Sequence, residues 1–182
     1  PSDNFLADAI LKAVGVRAVS KTSGDALALG QAKMSEAIAE WLARDGQAQL
    51  KDEMRFHEGA GLSSDNVATP RAFMAVLRQL PGESFFPALW DSLPSAGEDG
   101  TLAGRMGKTL VEGRVRAKTG TLTGSYQLVG YIPKQAGARV EYVPFVILTS
   151  TSGKNRDKVR KFQDALVVKM AETIGRRELA DR

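Results

Sequence analysis

Near Gly113 the spacing of apolar residues changes from a helical to a strand period, and that change limits the folds open to the chain. Before it, apolar residues recur every three or four positions between capping residues and Gly or Pro stops. After it come three segments, Arg114 to Lys118, Ser125 to Ile132 and Val140 to Ser150, rich in β-branched and aromatic residues and parted by Gly or Pro clusters. A last segment, Lys154 to Ile174, returns to helical spacing with Val159, Phe162, Leu166, Met170 and Ile174 on one face. Helices, then an antiparallel meander, then a covering helix predict an α+β layered domain. At 182 residues, one compact domain is the first expectation and two small ones the limit.

The helical part divides at its punctuation. Phe5, Leu6, Ala9, Ile10, Ala13 and Val14 follow Asp3, a good N-cap, and predict a short amphipathic helix that stops at Gly15. A second helix is expected from Asp25 to Arg44, with Met34, Ala37, Ile38, Trp41 and Leu42 as its core stripe and Asp45-Gly46 as its stop. Glu58-Gly59-Ala60-Gly61-Leu62-Ser63 reads as a tight connection. Thr69 caps a third helix with Pro70 at its first position, ending near Leu80 before Pro81-Gly82. Phe85, Phe86 and Trp90 mark a short buried helix closed by Pro94, and Ala96 to Gly100 is a turn-rich loop.

Composition removes several chemistries. There is no cysteine, so neither a disulfide framework nor a thiolate metal site is open, and a single histidine, His57, is too few for a His-built zinc site and is not expected to serve in Ser-His-Asp chemistry. No cofactor or metal is expected. No apolar run reaches 18 residues, so no transmembrane segment is predicted. The net charge of +4 comes with basic residues gathered near the C-terminal end (Lys154, Arg156, Lys158, Arg160, Lys161, Lys169, Arg176, Arg177), where a solvated helix face accounts for them. The aromatics fall on apolar core patterns and not among these residues, which argues against nucleic acid as a partner.

Two short motifs carry chemistry. Lys118-Thr119-Gly120-Thr121 stands at the end of one predicted strand and before another: an ammonium, two hydroxyls, and a glycine that leaves room for an extended peptide to approach a sheet edge. Ser2-Asp3-Asn4 opens the first helix with a hydroxyl and an amide. A second triplet, Ser64-Asp65-Asn66, is read as a turn ahead of the Thr69-capped helix. Arg116 shares a strand face with Lys118 and is expected to hold an ordinary strand position.

Together with an Ser-x-x-Lys nucleophile motif, the Ser-Asp-Asn and Lys-Thr-Gly pair is the signature set of penicillin-binding proteins and class A β-lactamases. In order along the chain, Ser2-Asp3-Asn4-Phe5-Leu6-Ala7, Gly59-Ala60-Gly61-Leu62-Ser63, Asn66, Thr69-Pro70-Arg71, Asp99-Gly100-Thr101-Leu102 and Arg114 to Gly124 resemble the C-terminal part of the D-alanyl-D-alanine carboxypeptidase/endopeptidase family of class C low-molecular-mass penicillin-binding proteins. The likeness covers nearly the whole chain. It departs at Glu58 and Ala60, where the family usually has Asp and Ser. The family's functional triplet lies a little over a hundred residues before Lys-Thr-Gly; Ser2 precedes Lys118 by 116 residues and Ser64 by 54, so Ser2-Asp3-Asn4 is the match.

The resemblance implies a transpeptidase/β-lactamase-like fold, an antiparallel sheet flanked by helices, here without its N-terminal portion. It implies a serine acyl-enzyme acting on peptidoglycan stem peptides that end in D-Ala-D-Ala, inhibited by β-lactams, in a periplasmic or extracytoplasmic setting. On the matching positions Ser2 relays a proton, Asn4 positions the substrate amide, Lys118 supplies positive potential, Thr119 binds the substrate carboxylate, Gly120 admits the peptide, and the N-H of Thr121 is an oxyanion donor. No serine of the chain has lysine three positions later, so the nucleophile is expected upstream, in a missing N-terminal part that is also an expected partner, and the chain alone is expected to be inactive. A non-catalytic peptidoglycan-binding module and a β-lactamase-like hydrolase are the alternatives.

Overall fold

The computed structural model describes residues 2–17, 25–152 and 155–180, with side chains through residue 176. The chain gathers into two compact units, Pro1–Gln79 and Leu80–Arg182.

In the first unit Asp3 caps α1 (Asn4–Arg17) by accepting from the Leu6 N-H at 2.9 Å. Asp25 does the same for α2 (Ala26–Arg44), accepting from Leu27 N-H. The expectation that α1 stops at Gly15 is overturned: the helix runs on to Arg17. A side chain at Gly15 would collide with the backbone of Ala26 and Gly30, and one at Gly30 with the Leu11 carbonyl. Both glycines therefore serve close helix approach, not termination. Apart from Leu11 and Gly15, α1 buries little, and Phe5, Leu6, Ile10 and Val14 are exposed. The predicted apolar face exists but is largely uncovered.

A 3₁₀ turn (Ala48–Glu53) leads into a small antiparallel pair, β1 (Met54–Arg55) and β2 (Val67–Ala68), and then α3 (Pro70–Gln79). Ile38 and Leu42 of α2 close a core with Leu50, Ala72, Ala75 and Val76, as the predicted stripe requires. Thr69 Oγ1 accepts from Ala72 N-H at 3.3 Å, the expected cap.

The connection between β1 and β2 is pinned by side chains. Glu58 accepts from the N-H groups of Ala60 (2.7 Å) and Ser63 (3.1 Å) and from the Asn66 amide, while Asn66 Oδ1 accepts from His57 N-H at 2.7 Å. Asp8 of α1 accepts from Gly59 N-H (2.7 Å) and Ala60 N-H (3.1 Å), tying the helix that begins with Asn4 to this loop. Burial works against the Glu58 carboxylate, but the hydrogen bonds from Ser63, Ala60, Asn66 and Leu62 outweigh it and hold its pKa below the ordinary glutamate value.

In the second unit α4 (Phe86–Ser92) precedes the meander β3 (Arg116–Leu122), β4 (Ser125–Ala136) and β5 (Arg139–Ser150), paired in that order and antiparallel throughout, and α5 (Arg156–Ala180) follows. The start expected for the last helix, Lys154, lies outside the described residues, and its expected face is displaced: Val159, Gln163, Val167 and Ala171 are buried, while Phe162 is exposed. Two corrections concern the strands. β3 starts two residues later and continues to Leu122, because Lys118 to Leu122 pair with Val129 to Ser125 across a two-residue turn in which Gly124 takes φ +73°. β4 passes Ile132 and includes Pro133. At that point β3 has ended, so the missing N-H of Pro133 faces no strand.

One sheet face, with Ala117, Leu128, Ile132 and Phe145, packs on Val167 and Ala171 of α5 and on Leu102, Met106, Val111 and Val115. The other bears Tyr131 and Tyr142 against Phe86 and Trp90 of α4, with Phe86 edge-on to Tyr131 at 5.3 Å between centroids. Arg105, buried, locks the segment before β3 to α5: Nε and Nη2 donate to Asp164 Oδ1 at 2.9 and 2.7 Å, and Nη2 also donates to Gln163 Oε1 at 3.2 Å.

Two outcomes follow. Replacing Arg105 by Ala strands Asp164 and Gln163 and lowers stability by about 3–5 kcal/mol, readable by chemical denaturation, and Lys recovers little because it lacks the planar fork. Glu58 has a folded-state pKa below its unfolded value of about 4.3, so its contribution is complete above that value and fades as pH falls through the folded value. Glu58→Gln therefore flattens the acid limb of a stability-against-pH curve; an unchanged limb refutes the assignment.

Candidate active site

Ser2 and Asn4 flank the helix cap. Asp3 is consumed by capping, whereas the Ser2 and Asn4 side chains are exposed and make no hydrogen bond to the described residues. The expected cap at Asp3 is present in the first unit. The second triplet behaves as expected of a turn: Asp65 N-H donates to Ser63 Oγ, and Asn66 is occupied by His57 and Glu58. His57 is exposed, bonded through its backbone.

In the second unit the four residues Lys118 to Thr121 lie within β3, not at its end. Their backbone directions follow from the covering segment: Ala96 N-H donates to the Val115 carbonyl and Ala117 N-H to the Pro94 carbonyl, so odd-numbered residues of this strand turn their polar groups away from β4. That cover stops at Ala117. From Thr119 onward no strand of this unit pairs with the outer edge among the described residues, and the N-H of Thr121 points out along it.

The side chains alternate. Lys118 leaves on the α4 face and Thr119 and Thr121 on the α5 face, but Lys118 Nζ folds back over the edge to donate to the Thr119 carbonyl at 2.7 Å. Burial depresses the Lys118 pKa below that of an ordinary lysine. Arg116, on the same face, is committed elsewhere: Nη1 donates to the carbonyls of Trp90, Asp91 and Leu93 at the end of α4 (3.5, 3.2 and 3.1 Å), and the guanidinium sits 5.5 Å from the Trp90 ring centroid. It is the structural residue the strand reading expected.

Gly120 faces the end of a flexible side chain that would have to move aside for a Cβ. A Cβ there would stand 2.6 Å from Oε1 of Gln127, its cross-strand neighbour, whose Nε2 donates to Ser125 Oγ. Sequence reasoning missed Gln127, and it missed Thr101, whose Oγ1 accepts from Thr119 Oγ1 at 3.0 Å. Thr101 was named only within the resembling block Asp99-Gly100-Thr101-Leu102, with no role. No cluster of three metal-ligating side chains occurs among the described residues.

Comparison with known proteins bears on the family and the fold. The profile of the D-Ala-D-Ala carboxypeptidase 3 (S13) family matches residues 1–173. The D-alanyl-D-alanine carboxypeptidase DacB of Haemophilus influenzae is 32% identical over 148 residues, 80% of this chain and 29% of that protein. The D-alanyl-D-alanine carboxypeptidase of an Actinomadura species is 32% identical over 180 residues, 96% and 30% respectively. The chain thus spans about 30% of the length of these relatives. A crystal structure of Haemophilus influenzae penicillin binding protein 4 (dacB), complexed with a β-lactam, matches with a TM-score of 0.71 at 27% identity, over 93% of this chain and 38% of that one. A predatory endopeptidase of Bdellovibrio bacteriovorus, at 22% identity and a TM-score of 0.63, shares the fold. The mixed helical and antiparallel architecture, the Lys118 strand and the match from residue 1 to 173 lead to one assignment: the chain belongs to the D-Ala-D-Ala carboxypeptidase 3 (S13) family.

Proposed function

We propose that this chain is the C-terminal part of the catalytic domain of a serine-type D-Ala-D-Ala carboxypeptidase/endopeptidase, acting outside the cytoplasm on peptidoglycan stem peptides and acylated by β-lactams. The observation that carries the reading is the Lys118-Thr119-Gly120-Thr121 stretch on a sheet edge left open from Thr119, in a chain of this family.

A serine outside this chain attacks the carbonyl between the two terminal D-alanines, the C-N bond breaks, D-alanine leaves with a proton on its nitrogen, and water then releases the shortened peptide. In that sequence Ser2 passes the proton to the leaving nitrogen and Asn4 holds the scissile amide. Lys118 gives the carboxylate-binding end its positive potential, Thr119 donates to the carboxylate, and Thr121 N-H is one of two oxyanion donors. With the nucleophile elsewhere, the chain alone is inactive. Two exposed features support association with the rest of the longer protein: the apolar residues Phe5, Leu6 and Ile10 on α1, and the twelve-residue edge strand β5, which carries exposed Val140 and Leu148.

In the full-length protein a fluorescent penicillin labels a serine that survives denaturation, and the isolated chain stays unlabelled. Ser2→Ala and Lys118→Ala each lower acylation by about 10²–10⁴-fold. Because burial lowers the Lys118 pKa, the alkaline limb of the wild-type rate profile falls below the ordinary lysine value of 10.5. Binding to sacculi without label or D-alanine release points instead to a non-catalytic peptidoglycan-binding module.

A further inference from the structure

Thr101 is an exposed threonine on a one-turn 3₁₀ helix (Gly100–Leu102), a position where a hydroxyl ordinarily bonds only water. Its surroundings deny it that freedom. On one side Asp99 Oδ1 accepts from Ser95 N-H at 2.8 Å, and Ser95 forms a β-bridge with Arg116 that fixes the segment to the outer edge of β3. On the other side Leu102 is fully buried in the core of the unit, and its carbonyl accepts from Gly97 N-H at 3.0 Å. Gly100, at φ +51°, packs on Pro94. Held at both flanks, Thr101 places Oγ1 3.0 Å from Thr119 Oγ1, where the covered half of the β3 edge gives way to the open half.

We infer that Thr101 is a positioning residue for recognition of the substrate's terminal carboxylate, acting through the Thr119 hydroxyl. A hydroxyl has one proton and two lone pairs, so either member of the pair can donate to the other. When a carboxylate takes the Thr119 proton, Thr119 can accept from Thr101. That second hydrogen bond fixes the direction of the first and polarises it, strengthening donation to an anion more than to a neutral carbonyl. The inference rests on the serine-peptidase reading and adds a specificity element that the Lys-Thr-Gly-Thr stretch does not itself contain.

The test uses the full-length protein with benzylpenicillin and its methyl ester, which differ in whether the carboxylate carries charge. Thr101→Val, which keeps the shape and removes the hydroxyl, is expected to lower the second-order acylation rate by benzylpenicillin about tenfold, the effect of one net hydrogen bond, while the ester rate stays within about twofold of wild type. Thr101→Ser restores the benzylpenicillin rate. Equal losses with acid and ester, no loss with either, or failure of Ser to rescue overturns the assignment while the peptidase reading stands. A wild-type protein labelled by neither compound overturns that reading, and the role of Thr101 with it.

Discussion

The outer edge of β3 is the constraint on which the candidate site depends. Pro94 to Ala96 add a short antiparallel bridge to the strand at Val115 to Ala117 and go no further. A strand edge fully covered would have no free amide for a ligand, and one fully open would be an aggregation hazard. Here the division falls between Ala117 and Thr119, so the same strand is anchored by its first half and offers backbone donors with its second. Alternation then does the rest: Thr121 N-H must point outward because Ala117 N-H does.

Charged side chains elsewhere are committed to holding backbone in place. Asp8 and Glu58 bind loop amides, Arg105 bridges to α5, and Arg116 closes the carbonyl end of α4. Arg105 does so in the interior, where its partners would otherwise be stranded, and the others at or near the surface. Lys118 differs in kind. Among the described residues it reaches only the Thr119 carbonyl, on the open edge, and its ammonium is partly desolvated. A cation so placed can exchange a weak neutral acceptor for an anion at small structural cost, and the desolvation that lowers its pKa strengthens its attraction for that anion.

Much of the fold was legible in the sequence because its signals are local. Asp3 and Thr69-Pro70 announce their caps through chemistry confined to a few residues, and the apolar stripe of α2 follows from helical period, whereas α5 buries Val159, Gln163, Val167 and Ala171 and leaves the expected Phe162 exposed. What was not legible depends on partners remote in sequence. Gly15 looks like a stop until Gly30 is seen opposite it. Lys118 to Leu122 look like a strand end until the register with Val129 to Ser125 is known. The motif residues were found by resemblance, and Thr101 lies in one of the resembling blocks, but its pairing with Thr119, 18 positions on, was not legible because it depends on the burial of Leu102 and the bridge of Ser95 to Arg116.

That last case shows why short motifs understate their sites. Lys118, Thr119, Gly120 and Thr121 are contiguous, so a strand is enough to present them, and a sequence pattern captures them whole. A hydroxyl that supports one of them can come from any segment that reaches the edge, and its direction is set by groups that have no chemistry of their own: Asp99 in the turn, Leu102 in the core. The specificity of a hydroxyl donor depends on what its oxygen accepts as much as on where its proton points. The geometry around Thr119 therefore joins the middle of the second unit's loop to its strand, and the Asp99-Gly100-Thr101-Leu102 segment takes its place as support for the edge instead of as an incidental turn.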